Sequence, residues 1–237
     1  MHGIETRAIL EKLAALPEDW HLAGMASERV LKAFADECVR LSPLVRTAET
    51  GSRKTTLLFS SLSPRHTVFA LDTGNRSISA AMESSLLDPS VVELVEGPTQ
   101  KTLPSYSFDG EYDVVLIDGP HGYPFPDLEY FYFYPRVRKG GLLLVDDIHI
   151  PSIGRMYRIL KACDMWRLIR TVDNMAFFER TDAPLLDPYA DGWWLQGYNR
   201  RLYERGLKRK GLLGALTPKW LRRMFPASVK RFFSRFA

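Results

Sequence analysis

Two short runs constrain this chain more than anything else in it: YDVVLI at 112–117 and GLLLV at 141–145, both nearly all apolar. Strands that read this way are buried on both faces, and a sheet covered on both faces is built from strand–helix–strand units with parallel strands. The surrounding pattern agrees. A short apolar approach at 44–48 leads to Glu49-Thr50-Gly51, and a helix is predicted over 54–62. A strand at 66–71 ends at Asp72, with a helix over 76–86, and a strand at 91–95 ends at Glu96-Gly97. The run at 112–117 ends at Asp118-Gly119. An aromatic-rich helix over 125–137 follows it, entered through Pro124 and Pro126. The run at 141–145 ends at Asp146-Asp147, and a helix is expected over 153–162. Two closing strand-like segments, 167–171 and 176–179, are joined by Val172-Asp173-Asn174-Met175, the pattern of an antiparallel hairpin.

Two helices precede the first strand. Apolar residues at 9, 10, 13 and 16 give a helical period over 5–16. Ser27 is a predicted N-cap for a helix over 28–41, with Val30, Leu31, Phe34 and Val39 on its apolar side and Pro43 beyond its end. The expected organisation is therefore N-terminal helices at 1–43, an α/β domain at 44–181 and a C-terminal extension at 182–237. Cys38 and Cys163 fit no metal or redox spacing and read as reduced packing residues. The first residues carry acids among their apolar positions, unlike a secretion signal. No apolar run approaches the roughly 18 residues of a membrane span, so a cytoplasmic protein is expected.

Charge is distributed unevenly. Residues 196–237 hold twelve Lys or Arg and one acid, Glu204, for a net +11. Against an overall +4 this leaves −7 on the rest of the chain. The tail interleaves Trp220, Phe225 and Phe232 with Arg222, Arg223 and Lys230, a basic amphipathic pattern suited to peripheral contact with the inner membrane surface or to docking on an acidic partner. Nucleic acid is disfavoured, because no recognition motif accompanies the charge.

The acids at the strand ends point to function. In an open parallel sheet ligands sit outside the carboxyl ends of the strands, where strand order reverses. Glu49, Asp72, Glu96, Asp118 and the Asp146-Asp147 pair all fall there. Any one of them alone reads equally well as a helix cap. Gathered at one edge they repel each other unless hydroxyls, amines or a metal ion answer them, and this favours a site.

The segments ETGSRKTTLLFS (49–60), HTVFALD (66–72), YDVVLIDGPHGYPFPDLEYFYFYP (112–135) and GGLLLVDDIHIP (140–151) resemble the class I S-adenosylmethionine-dependent methyltransferases. More narrowly, they resemble the small-molecule O-methyltransferase branch with IDGxH and DD signatures, over about 44–181. The resemblance implies a Rossmann-like α/β fold: a doubly wound, mostly parallel seven-stranded sheet with an antiparallel C-terminal hairpin. It places Glu49, Gly51 and Ser52 in the cofactor loop, with Glu49 toward the methionine amino group or an ordered water. Asp72 falls on the two ribose hydroxyls, and a carboxylate can accept from two donors at once. Glu96 and Gly97 fall at the adenine, and Asp118 near the sulfonium and acceptor. In the metal-dependent branch Asp118, Asp146 and Asp147 correspond to ligands of Mg²⁺ or a similar hard cation, which prefers carboxylate oxygens. His121 and His149 are candidates for the general base, each equally open to a structural role. Of the aromatics Tyr123, Tyr130, Phe131, Tyr132, Phe133 and Tyr134, the majority read as core and the rest as a wall for the acceptor.

The chain departs from the family's first loop at Arg53, where a small residue is expected and a long cation faces the cofactor's sulfonium. The same residue excludes a phosphate-binding P-loop, which needs glycine immediately before the lysine. The expected function is methyl transfer from S-adenosylmethionine to a hydroxyl of a small molecule or glycan precursor, assisted by a divalent metal. A homo-oligomer is compatible with it. Arg53 motivates an alternative: a non-catalytic module with the same fold, recruited to a membrane or partner by its tail. A third expectation, other chemistry at the carboxylates such as hydroxylation, would require iron instead of magnesium.

Overall fold

The computed structural model describes residues 2–17, 20, 26–186 and 192–209. They fall in two compact units, residues 1–185 and 186–237. The first unit opens with helices α1 (His2–Ala14) and α2 (Glu28–Leu41). The alternating part follows: β1 (Thr47–Thr50), α3 (Lys54–Leu62), β2 (His66–Ala70), α4 (Ser77–Met82), β3 (Val92–Glu96), α5 (Thr99–Ser105), β4 (Tyr112–Ile117), α6 (Phe125–Phe133), β5 (Val137–Val145) and α7 (Pro151–Lys161). The hairpin β6 (Trp166–Val172) and β7 (Met175–Arg180) closes it. Within the second unit a 3-10 turn, Trp193–Leu195, leads to α8 (Gly197–Arg209), and the Trp193 and Tyr203 rings meet edge-on at 5.6 Å. The basic pattern beyond residue 209 lies outside the described residues.

Among the described residues the sheet has seven strands in the order β3-β2-β1-β4-β5-β7-β6. β3, β2, β1, β4 and β5 run parallel, and β7 runs antiparallel to both β5 and β6. The chain steps outward from β1 to β3 and then returns to lay β4 on the other side of β1. Strand order therefore reverses between β1 and β4, which opens a crevice beyond their carboxyl ends.

Each central strand feeds two cores. Val114 and Leu116 of β4, with Leu142 and Leu144 of β5, pack under α1, α2 and α3. The alternating residues Val115, Ile117, Leu143 and Val145 pack under α5, α6 and α7. This period-2 alternation, buried on both sides, is what the apolar runs demanded. Leu13 of α1 and Phe34 of α2 are fully buried in the first core, so the N-terminal helices share a core with the sheet. Ser27 caps α2 as expected, its hydroxyl accepting from the Val30 amide at 3.2 Å. Cys38 and Cys163 are free thiols.

Several boundaries differ from the sequence expectation. The apolar side of α2 continues to Cys38, and Val39 is exposed. β1 is the polar stretch Thr47–Thr50, not the apolar approach at 44–48, so Glu49 lies inside the strand. α6 stops at Phe133, and β5 begins at Val137, with a half-buried Arg138 and an exposed Lys139 that concealed its start. α5 has no counterpart in the sequence reading: it is seven residues long and contains Pro104. Of the six aromatics, Phe133 is buried, Tyr130, Tyr132 and Tyr134 pack against the core, and Tyr123 and Phe131 are exposed.

Candidate active site at the switch point

The crevice is shaped first by backbone. Gly51, which ends β1, has φ +84°, and a Cβ there would collide with the Asp118 carbonyl oxygen at the end of β4. The first loop therefore lies directly against the fourth strand. Thr50, the residue before, accepts from the Asp118 amide at 2.9 Å and donates to Glu129 Oε2 at 2.8 Å. Glu129 belongs to α6 and is fully buried. It fits because Gly119 has no side chain, and a Cβ at 119 would run into its carboxyl group. Burial pushes the Glu129 carboxyl up to about 7, although the Thr50 hydroxyl opposes the shift.

Onto this frame the charged groups converge. Asp118 is almost fully buried and splits its carboxylate between two sides. Oδ2 pairs with Arg53 Nη1 at 3.1 Å, while Oδ1 has no hydrogen-bond partner and lies 3.8 Å from His121 Nε2. His121 Nε2 is also 3.1 Å from Asp147 Oδ2, and His149 Nδ1 is 3.6 Å from Asp147 Oδ1. Burial pushes the Asp118 carboxyl up, against the pull of His121 and Arg53. Asp118 in turn holds the His121 imidazole above its ordinary value. The loop carrying His121 is tied down by α7, where the Ser152 hydroxyl donates to the His121 carbonyl.

The adjacent acids after β5 have separate tasks. The Asp146 amide donates to the Ile117 carbonyl at 3.1 Å, and its Oδ1 accepts the Asp147 amide at 2.8 Å. Asp147 stands at φ +54°, a left-handed turn that swings its carboxylate to His121. Burial, with Asp118 adding to it, pushes Asp146 up to about 7. Ligating atoms of Asp118, His121 and Asp147 all lie within 4.8 Å of one another. The tight cluster thus differs from the expected Asp118, Asp146 and Asp147: the imidazole takes the third corner, because Asp146 is turned to its neighbour's amide. An orphaned buried carboxylate oxygen beside a second carboxylate and an imidazole suits a divalent cation.

The remaining expected residues occupy different places. Glu49 does not face the crevice. It is buried under α3, accepting from Thr55 Oγ1 at 2.6 Å and from Thr56, with His66 Nε2 at 3.2 Å. Its period-2 position opposite Thr50 sends it to the helix side, where it anchors the first turn of α3. Ser52, within the loop, is buried. Asp72 follows β2 half-buried, its Oδ1 accepting the Gly74 amide at 2.8 Å, and Glu96 is the exposed last residue of β3. Both stand at the same edge of the sheet, on the β2–β3 side of the crevice. Gly97 links these two strand ends by donating to Ala70 O at 2.8 Å.

Sequence reading missed Glu129 and Thr50 as parts of the site. The signal was there: Glu129 sits between Leu128 and Tyr130, past the acidic first turn at Asp127, on the aromatic stretch marked for the core. Arg53 was visible as a departure, but its partner was not.

The strand order and the crevice are those of a Rossmann-like fold that solved methyltransferases share. Residues 48–148 match the family model described as a methyltransferase domain. No curated protein matches the chain. Among solved structures, an O-methyltransferase from Klebsiella pneumoniae is 18% identical, with TM-score 0.57, covering 75% of this chain and 90% of that one. The O-methyltransferase from Bacillus cereus, in complex with S-adenosylhomocysteine (SAH), is 15% identical with TM-score 0.53, over 74% and 90%. The MycE methyltransferase of mycinamycin biosynthesis, in complex with Mg, SAH and mycinamycin VI, is 16% identical with TM-score 0.51, over 78% and 57%. These likenesses fix the fold. Among the described residues no helix is long and apolar enough to cross a membrane.

Proposed function

We propose that the chain is an S-adenosylmethionine-dependent O-methyltransferase acting on a hydroxyl of a small molecule or glycan precursor, with help from a divalent cation. The observation that carries this reading is the meeting of Asp118, His121 and Asp147 beside the Gly51 turn, at the crevice where such a domain takes its nucleoside. The solved relatives with bound SAH and Mg support it. Asp72 takes the ribose hydroxyls, with Glu96 and Gly97 on the adenine side.

Asp118 and Asp147 would hold the cation, with Asp146 beside them; bound there, it would lower the pKa of the acceptor hydroxyl. With the cation on the two carboxylates alone, His121 Nε2 stays free to receive the acceptor proton, and the flanking carboxylates stabilise the imidazolium it becomes. Ser152 and the Asp147 carboxylate fix the ring's place, which matters because transfer of a methyl group demands an in-line approach. His149, more exposed and on the outer side of Asp147, borders the acceptor entrance. A cytoplasmic location suits the cofactor, and the basic tail is proposed to reach an anionic membrane surface.

Calorimetry with SAH tests the reading. The protein should bind it, and Asp72→Ala should weaken binding by about 10-fold or more, as expected for loss of charge-assisted bonds to two hydroxyls. Unchanged affinity in the variant removes the ribose assignment. The pairing of Arg53 with Asp118 favours a second reading, a non-catalytic module whose crevice is closed by its own arginine; a wild-type protein that binds no SAH would support that one instead.

A further inference from the structure

The loop after β1 puts a long cation where the family resemblance calls for a small residue, and the structure gives that cation a defined place. Arg53 retains only 17% side-chain exposure, and its ion-pair partner Asp118 retains 4%. Among the described residues Asp118 is the only acid that pairs with Arg53. The Arg53 amide is itself used, donating to Thr56 Oγ1 at 3.1 Å, which anchors the loop to α3. On the other side Asp118 is anchored through its amide to Thr50, and through Thr50 to Glu129. Both charges are therefore mounted on backbone that the buried network holds still.

We propose that Arg53 and Asp118 form a receptor for the zwitterionic α-amino acid end of the nucleoside cofactor, the carboxylate going to Arg53 and the ammonium to Asp118 Oδ2. This rests on the cofactor reading above. Recognition here works by charge matching. A guanidinium and a carboxylate in contact present a plus–minus pair, and an amino acid head presents the complementary minus–plus pair one carbon apart. Insertion of the head exchanges one internal ion pair for two intermolecular ones, so neither partly buried charge is left alone. A guanidinium also binds a carboxylate in a fork that an ammonium cannot reproduce. Asp118 can serve both partners because its oxygens face different ways: Oδ2 toward Arg53, Oδ1 toward His121 and the cation cluster. In this arrangement the ligand's own carboxylate lies next to the guanidinium and offsets its repulsion of the sulfonium. Arg53 is then a specificity residue for the amino acid end, not an obstruction.

The test is calorimetry with three nucleosides: SAH, its decarboxylated analogue that keeps the amine, and 5′-methylthioadenosine, which lacks the amino acid end. Wild-type protein should prefer SAH to the decarboxylated analogue by about 10- to 100-fold, the range for a charge-assisted hydrogen-bonded contact. Arg53→Gln should lose that preference by weakening SAH alone, and Arg53→Lys should keep part of it. Binding of 5′-methylthioadenosine should be the same in all three proteins, which also reports that the variants are folded. If Arg53→Gln binds SAH as tightly as wild type or more tightly, the arginine is a bystander or a plug and the proposal falls. If wild type binds 5′-methylthioadenosine but shows no preference for SAH over its decarboxylated analogue, the receptor is refuted while nucleoside binding stands. If wild type binds none of the three, the cofactor reading itself fails and takes the proposal with it.

Discussion

Glu129→Gln should make the protein more stable at neutral pH, by an amount that depends on pH in one direction only. Glu129 is fully buried on α6, its Oε1 has no hydrogen-bond partner, and its pKa rises from 4.5 to about 7. A folded-state pKa above the unfolded one means that the folded protein holds the proton more tightly. The associated stability is complete below about pH 4.5 and is lost as pH climbs to about 7, beyond which no more is lost. The shift corresponds to about 3 kcal/mol, a sizeable share of a typical domain's stability of roughly 5–15 kcal/mol. Glutamine keeps an oxygen for the Thr50 hydroxyl and has no charge to bury. Urea unfolding followed by circular dichroism, on both proteins from pH 4.5 to 8, gives the difference directly, and effects from other titrating groups largely cancel. The variant's advantage should grow by about 3 kcal/mol across that range. A constant difference, or one that shrinks as pH rises, would show that Glu129 is ionised in the folded state at every pH and is stabilised by its surroundings.

Three further outcomes follow from the geometry. Asp147→Asn should weaken Mn²⁺ binding by about 10-fold or more in a calorimetric titration, because it removes a charge from a three-cornered cluster; unaltered binding would place the ion elsewhere. Gly51→Ala should cost about 3 kcal/mol or more in urea unfolding, since the added methyl meets the Asp118 carbonyl, a backbone atom, at a positive φ. Gly74→Ala, also at positive φ but in open space, should cost only about 1 kcal/mol, and equal losses at the two sites would contradict the close approach. Lys54→Met should lower stability by about 1–2 kcal/mol, because the buried ammonium that donates to the Leu13 carbonyl at the end of α1 is lost and that carbonyl is left unpaired; no change would mean water replaces it.

What could be read from the sequence divides along a physical line. Helices α2 and α3 and strand β4 have the bounds expected, because their signals are local: a side-chain cap at Ser27, and a nearly all-apolar run at 112–117. β1 could not be read this way. Each of its polar residues is satisfied by a side chain of another element: Thr47 by His66, Glu49 by Thr55, Thr56 and His66, Thr50 by Glu129. A strand whose polar side chains are paired through tertiary contacts has no hydrophobic pattern to announce it. The site shows the same division. That acids gather at the strand ends follows from the period of the sheet and was legible. Which of two adjacent acids reaches His121 depends on the left-handed turn at Asp147, and no spacing rule separates Asp146 from Asp147.

Asp118 joins the cation cluster to the Arg53 side of the crevice. Its backbone is gripped twice, by the Thr50 hydroxyl at the amide and by the Gly51 turn against the carbonyl. Behind it Gly119 leaves room for Glu129, which accepts the proton of that same Thr50 hydroxyl. Two glycines and one threonine thus fix a carboxylate whose oxygens serve opposite walls of the crevice. Displacing the frame by the width of one methyl group would move Oδ1 relative to His121 and Oδ2 relative to Arg53 together, because both hang from the same side chain. Cation binding and recognition of the amino acid end are for this reason expected to fail together in frame variants such as Gly51→Ala, yet separately in Asp147→Asn and Arg53→Gln. That pattern of joint and separate loss distinguishes a shared, backbone-mounted acid from two independent sites.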